Sequence, residues 1–277
     1  WKLRYPDRIM LVDREQNLGL IGNFMATYDL CRGTYIAICE GDDFWTDKTK
    51  LQRQVDFLDE HPDFSTCFHR VINYYADSGT KSLSNGHQQV DTDICDLAQS
   101  NFISNVSVLF RRGLFGRLPD WFPQVSTYDY AIHMLNAAHG RIHYMKRPMA
   151  VYRQHSHAIW SRNKAYAKLD IGLKVRELLI EHFRETRPDV CELLRDAHTR
   201  FSLNELYHCR QAKLTDEAEE LEKRLLIIRP KWDHNEVEKR LETLRPSSQT
   251  ILKRRTFSLL KKVRAVCSYF TPLPRIR

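Results

Sequence analysis

An apolar, β-branched and aromatic run from Thr34 to Cys39 opens directly onto Glu40-Gly41-Asp42-Asp43. Few folds accommodate such a junction. The run has the character of a buried parallel strand, and three acids crowded at its end repel one another unless they lie at the rim of a sheet, where something positive can join them. Upstream, Arg8 to Asp13 reads as a short strand and Asn17-Leu18-Gly19 as the loop after it. Leu20, Ile21, Phe24, Met25, Tyr28 and Cys31 recur at helical spacing, with Gly33 as the C-cap glycine. Strand, helix, strand is a βαβ unit. It places the carboxylates at the C-terminal edge of a strand, where open α/β sheets bind ligands.

The rest of the chain extends this plan. A helix with Thr46 as N-cap runs through Leu51, Val55 and Leu58 to His61-Pro62. Phe64 to Val71 and Phe102 to Phe110 read as strands, and the polar stretch 75–93 between them as a surface excursion. Residues 128–139 read as a helix, and Arg141 to Tyr152 as one strand or two. From about Asn163 apolar residues repeat at three-and-four spacing, and Pro188, Pro230 and Pro246 punctuate helices over 163–185, 189–212, 215–228 and 234–245. The last glycine is Gly172, which suits a helical segment because glycine weakens helix interiors by roughly 1 kcal/mol relative to alanine. The division expected is 1–162 for the α/β part, 163–245 for a helical domain and 246–277 for a tail.

Charge sharpens the division. The 277 residues carry a net charge of +8, and 246–277 alone hold eight basic residues and no acid, so the basicity belongs to the tail. On a helical wheel of 252–270, Leu252, Leu259, Leu260, Val263, Val266, Cys267 and Phe270 share one face and six basic residues take the other. Two readings stay open: a helix lying on an anionic membrane surface, or one docked on the preceding helices. A nucleic-acid partner is not expected, since no recognition motif accompanies the charge. Disordered and collagen-like classes are excluded by 42% apolar content. The seven cysteines form no C-x-x-C pair, as in a cytosolic protein with reduced thiols. No stretch approaches the roughly 20 apolar residues of a membrane span.

For the acids themselves, the residues leave two roles open. Mg²⁺ or Mn²⁺ held by one or two carboxylates generally also takes substrate phosphates. Alternatively, Asp42 and Asp43 help to start the next helix. Asp129 has a similar choice between a chemical role and capping its own helix, and Trp45, Trp121 and Trp160 between stacking on rings and filling the core.

Taken together, Asn17-Leu18-Gly19, Asn23, Gly33-Thr34-Tyr35-Ile36, Glu40-Gly41-Asp42-Asp43-Phe44-Trp45, Lys50-Leu51, Gln54-Val55, Leu58 and His61-Pro62 resemble the middle of a family 2 glycosyltransferase. Asn101-Phe102-Ile103, Arg111, Pro119, Trp121, Tyr128-Asp129, Gly140, Tyr152-Arg153, His155 and Trp160-Ser161 continue the likeness, which covers roughly residues 5–162. The resemblance implies an α/β fold of the GT-A type: a Rossmann-like mixed sheet with helices on both faces, here lacking the first strand and helix, followed by an all-α region. It implies an inverting, hexosyltransferase-type enzyme that moves a sugar from a nucleotide-diphosphate sugar to a glycan or lipid-linked acceptor, in cell-surface polysaccharide biosynthesis. Asp129 matches the general base. Asp42 matches the carboxylate that meets a Mg²⁺ or Mn²⁺ ion on the donor diphosphate, with His155 as a second metal contact. Asn17, Glu40, Asp42, Asp43 and Arg153 match donor-binding positions. Glu40 replaces the aspartate usual at the first position of the D-x-D-type motif, and a non-catalytic glycan- or nucleotide-binding relative is the alternative. The setting implied is cytoplasmic, at the inner membrane face.

Overall fold

The computed structural model describes residues 1–84, 86–156 and 165–244. The proposed tail helix over 252–270, Trp160-Ser161 and the proposed domain border at 162 lie outside these residues.

Two long strands, β3 (Phe64–Tyr75) and β7 (Arg141–Gln154), run parallel side by side and form the spine of a seven-stranded sheet. The short strands attach to their outer edges. On the β3 side, β6 (Leu109–Arg111) pairs antiparallel with Thr66 and Cys67, β4 (Thr80–Leu83) pairs with Ile72 to Tyr75, and β1 (Tyr35–Ala37) lies beyond β6. On the β7 side, β5 (Asp91–Thr92) pairs near the start of the strand and β2 (Phe44–Trp45) near its end, both antiparallel. The pairing directions make β1, β3 and β7 run the same way, so the segments leaving β1 and β7 emerge at one end of the sheet.

This mixed sheet with its helices and helical C-terminal region is the α/β class expected, with corrections in detail. Residues 8–13 form no strand: Met10, Leu11 and Val12 are exposed, and an extended segment becomes a strand only by pairing with a neighbour. Run 34–39 contributes only three paired residues, and its neighbour is antiparallel, not parallel. Its length and apolarity fit burial but do not encode the direction of the partner. Helix α1 (Gly19–Tyr28) stops before Gly33, because tight turns at Leu30 and Cys31 end it and Gly33 does not take the left-handed conformation of a cap. Of 102–110, only the end is strand, since Asn105–Ser107 winds into a 3₁₀ turn. The excursion 75–93 contains β4 and β5.

Helix α2 (Lys50–Glu60) begins after Thr49 rather than Thr46, with Asp47 accepting hydrogen bonds from the Thr49 amide and hydroxyl at 2.8 and 2.7 Å. Its inner face explains the Trp45, Lys50 and Gln54 motif. Lys50 is 1% exposed; its ammonium donates to Gln54 Oε1 at 2.8 Å and lies 4.4 Å from the Trp45 ring centre. Gln54 donates in turn to the carbonyls of Cys67 and Ser107 at 3.0 and 2.9 Å, and Trp45 Nε1 to the carbonyl of Val106 at 3.0 Å. One buried polar chain thus joins β2, α2, β3 and the 3₁₀ turn. Arg111 is equally structural: it donates to the carbonyls of Leu58, His61 and Phe64, closing the C-terminal end of α2. At Gly140 the chain enters β7 so close to β3 that a Cβ would stand 2.7 Å from the Ser65 nitrogen.

Helices α3 (Ile94–Gln99) and α4 (Asp129–Ala137) precede β7. After it come α5 (Ala165–Phe183), α6 (Pro188–Ala212), α7 (Thr215–Ile228) and α8 (His234–Leu244), within a residue or two of their expected bounds. Their packing divides the chain into two compact units, Trp1–Phe201 and Ser202–Arg277. The first extends beyond the sequence boundary at 162, because α5 packs on α4. Within the second, Leu206, Leu221, Leu225, Val237 and Leu241 are buried, and Arg210 bridges Glu222 and Glu238. No helix among the described residues is long and apolar enough to cross a membrane.

Burial lowers the Lys50 pKa to about 8 from the ordinary 10.4 or so. The unfolded chain therefore holds more protons than the folded one between about pH 8 and 10.5, and stability from this group rises with pH across that window. A Lys50→Met variant lacks that rise. The stability of the native chain relative to Lys50→Met is expected to increase between pH 7.5 and pH 10, measured as urea midpoints at each pH.

Candidate active site

At the sheet end where β1 and β7 finish lies a cavity of about 630 Å³, lined by Glu40, Asp42, Asn101, Asn105, Tyr128, Asp129, Tyr152, Arg153 and Arg176 among others. Four elements deliver its charged side chains, with Arg176 supplied by α5. The turn after β1 brings Glu40 and Asp42, with the Asp43 amide donating to the Glu40 carbonyl at 3.0 Å. Helix α4 brings Asp129 as its first residue, so the carboxylate sits at the positive end of the helix dipole. The end of β7 brings Arg153, and His155 comes just beyond it.

Each carboxylate is held differently. Glu40 accepts from Asn105 Nδ2 at 2.9 Å and from the Tyr128 hydroxyl at 3.0 Å. Burial raises its pKa, and these two bonds oppose the rise by favouring the charged form. Tyr128 is itself fixed by stacking on Phe24 of α1, with ring centres 3.9 Å apart; burial and the Glu40 charge raise its pKa in turn. Asp42 is exposed, and its Oδ2 lies 3.3 Å from His155 Nε2. Asp43 is buried beneath the turn: one oxygen accepts the Arg153 amide at 2.8 Å, and the other has no hydrogen-bond partner. Burial pushes its pKa up to about 7. Asn101 Nδ2 donates to Asp129 Oδ2 at 3.4 Å.

The structure therefore brings Glu40, Asp42, Asp129 and Arg153 to one cavity and sets His155 against Asp42. It does not bring Asp43 or Asn17 to the cavity lining. Asn17 accepts the Gly19 amide at 2.8 Å and shapes the turn into α1, where Gly19 adopts a φ of +69°. Trp45 is a core residue, and Trp121 packs against His182. Among the lining residues, sequence reasoning gives no site role to Asn105, Tyr128 or Arg176. Asn105 interrupts an otherwise apolar run, Tyr128 adjoins Asp129, and Arg176 lies on the apolar face of α5 beside Leu173, Leu179 and Ile180. A polar residue out of phase with its neighbours is the available signal for the first and last.

Among the described residues no group of three or more His, Cys, Asp or Glu side chains could form a protein-only metal cage. Asp42 and His155 form an acid–imidazole pair. Two side-chain ligands suit a cation that takes its remaining oxygens from a substrate diphosphate and water, as Mg²⁺ characteristically does.

Residues 2–118 match the family model described as glycosyl transferase family 2. That segment is similar to a family 2 glycosyltransferase domain. The matched segment includes Glu40, Asp42 and Asp43, while Asp129, Arg153, His155 and Arg176 lie after it. The chain is also 38% identical over 162 residues to Uncharacterized protein Rv1520 of Mycobacterium tuberculosis (strain ATCC 25618 / H37Rv) and to Uncharacterized protein Mb1547 of Mycobacterium bovis. The alignments cover 57% of this chain and 45% of each relative. The chain thus spans less than half the length of the curated relatives it matches.

Removing the Tyr128 hydroxyl takes one stabilising donor from the Glu40 carboxylate, so Tyr128→Phe is expected to raise the Glu40 pKa further. A ¹³C carboxyl titration of glutamate-labelled protein measures it: the Glu40 midpoint should move to higher pH than in the native chain.

Proposed function

We propose that this chain is an inverting, hexosyltransferase-type glycosyltransferase that uses a nucleotide-diphosphate sugar and a glycan or lipid-linked acceptor in building a cell-surface polysaccharide. The observation that carries the reading is one cavity lined both by Asp42, in the acidic turn after β1, and by Asp129, at the start of α4. Transfer by direct displacement needs two separate services: stabilisation of the leaving diphosphate and removal of a proton from the acceptor hydroxyl.

Asp129 takes the acceptor proton as the hydroxyl oxygen forms its bond to the anomeric carbon. The bond from that carbon to the donor phosphate oxygen breaks, and its electron pair leaves with the nucleoside diphosphate. Attack from the face opposite the leaving group inverts the anomeric centre. A Mg²⁺ or Mn²⁺ ion bound by Asp42 and His155 would supply the charge that offsets the leaving group. Arg153 adds a second cation at the donor end of the cavity, and Glu40, held by Asn105 and Tyr128, offers an acceptor to sugar or ribose hydroxyls. Asp43 supports this end indirectly by holding the Arg153 backbone, and Asn17 does so by shaping the entry to α1.

Two variants separate the roles. Asp129→Asn is expected to lower transfer by about 10²-fold or more, the typical worth of a general base, while donor binding persists. Asp42→Ala is expected to lose Mn²⁺-dependent binding of the nucleotide sugar. Product analysis by NMR reports the inversion, and full transfer by Asp129→Asn would remove that residue from the mechanism.

The basic stripe of 252–270 extends the proposal to an enzyme seated on the cytoplasmic face of the membrane, drawn to anionic lipid by about 1 kcal/mol per basic side chain near the surface. Deleting 247–277 is expected to abolish co-flotation with anionic liposomes and to leave the transfer reaction on a water-soluble acceptor intact.

A further inference from the structure

Arg176 is a cation in an unusual place. It lies on the inner face of α5 and is only 7% exposed, yet it lines the cavity. Its guanidinium sits 4.9 Å from the Tyr130 ring centre and 4.8 Å from that of Phe201. Nη1 donates to the Gly172 carbonyl, one turn back in its own helix, at 3.0 Å; Nε has no hydrogen-bond partner. Among the described residues no carboxylate stands within ion-pair distance of it, and a second guanidinium, that of Arg200, shares the Phe201 ring at 5.2 Å.

A buried charge without a counter-ion is costly. Lysine could escape that cost by losing its proton, but arginine stays charged under all ordinary conditions. A leucine or methionine at this position would complete the apolar face at no such cost. What a planar, unpaired guanidinium offers in exchange is recognition of a carboxylate or phosphate, whose paired oxygens its N–H groups match. The Tyr130 and Phe201 rings packed against it restrict the orientation of the fork.

Its position selects the substrate it can serve. Arg176 stacks on Tyr130, the residue directly after Asp129, whereas the other cation of the cavity, Arg153, is bonded through its amide to Asp43 in the donor turn. We propose that Arg176 binds an oxyanion, a carboxylate or a phosphate, carried by the acceptor, and so positions the acceptor hydroxyl at Asp129. The inference rests on the transferase reading of this cavity. Arg176 lies outside the segment matched by the family model, so it adds an acceptor determinant specific to the part of the chain after 118.

The test compares twin probes on the full chain by calorimetry or saturation-transfer NMR: methyl β-D-glucuronide against methyl β-D-glucoside, and butyl phosphate against butanol. The native protein is expected to bind at least one anion roughly tenfold or more tightly than its neutral twin, the worth of a charged hydrogen-bond pair. The pair that shows the preference identifies the anion as sugar acid or phosphate. Arg176→Gln should lose the preference and Arg176→Lys should restore part of it, with Mn²⁺-dependent binding of UDP or GDP unchanged in both. Should Arg176→Gln fail to fold, Arg176→Met, which suits the apolar face, is held to the same criterion. The proposal is overturned if the native chain discriminates neither pair, or if a folded Gln or Met variant keeps the preference. Failure of both nucleotides to bind would instead count against the transferase reading, and the anion comparison would still decide the role of Arg176.

Discussion

The parallel pairing of β3 with β7 is the constraint on which the first unit is built. Parallel neighbours cannot be joined by a hairpin, and the connection between them must travel across the fold. Here that connection runs from Ala76 to Gly140 and contains β4, β5, β6, α3 and α4. Because the excursion returns β6 to the outer edge of β3 and places α4 immediately before β7, it sets Asn101, Asn105, Tyr128 and Asp129 around the end of the sheet. The short strands add little length of their own; they are fixed by register to one of the two long ones.

The cavity at that end poses a problem of like charge. Glu40, Asp42 and Asp129 converge there, with Asp43 buried beneath the turn, and unscreened carboxylates in a partly dry space cannot all ionise cheaply. The protein meets this by giving each a different environment: two neutral donors for Glu40, an imidazole for Asp42, burial and one backbone amide for Asp43, and a side-chain amide with a helix N-terminus for Asp129. For Glu40 and Asp43, burial raises the pKa, so these two hold a proton more readily than an ordinary carboxyl group.

Legibility in the sequence tracks the range of the interactions involved. Helix α7 spans the residues its pattern and Pro230 indicate, 215–228, because amphipathic spacing is local. The acids after β1 stand out because charge at the end of an apolar run has few structural uses. The antiparallel neighbour of β1 is hidden, since Tyr35-Ile36-Ala37 pairs through backbone groups that any sequence possesses. Residues 8–13 have the apolar pattern of a strand but no strand partner among the described residues. Asn105 and Tyr128 matter only because they meet Glu40 from 65 and 88 positions away, and no spacing rule reaches that far. Arg176 is visible as a charge on an apolar face, but its neighbours Tyr130 and Phe201 are not.

The polar chain through Trp45, Lys50 and Gln54 also bears on the order in which the molecule can assemble. Helix α2 is local and amphipathic and can form on its own face early. The Gln54 amide, however, finds its partners only when Cys67 and then Ser107, 53 positions away, have arrived, and until then docking the helix would bury an unsatisfied amide beside an ammonium. Closure of the long β3-to-β6 loop is therefore coupled to the final seating of α2, and the same loop carries Asn105 to Glu40. The core locks and the acidic turn acquires its support in one late event, so partly folded chains would hold neither a finished core nor a finished site.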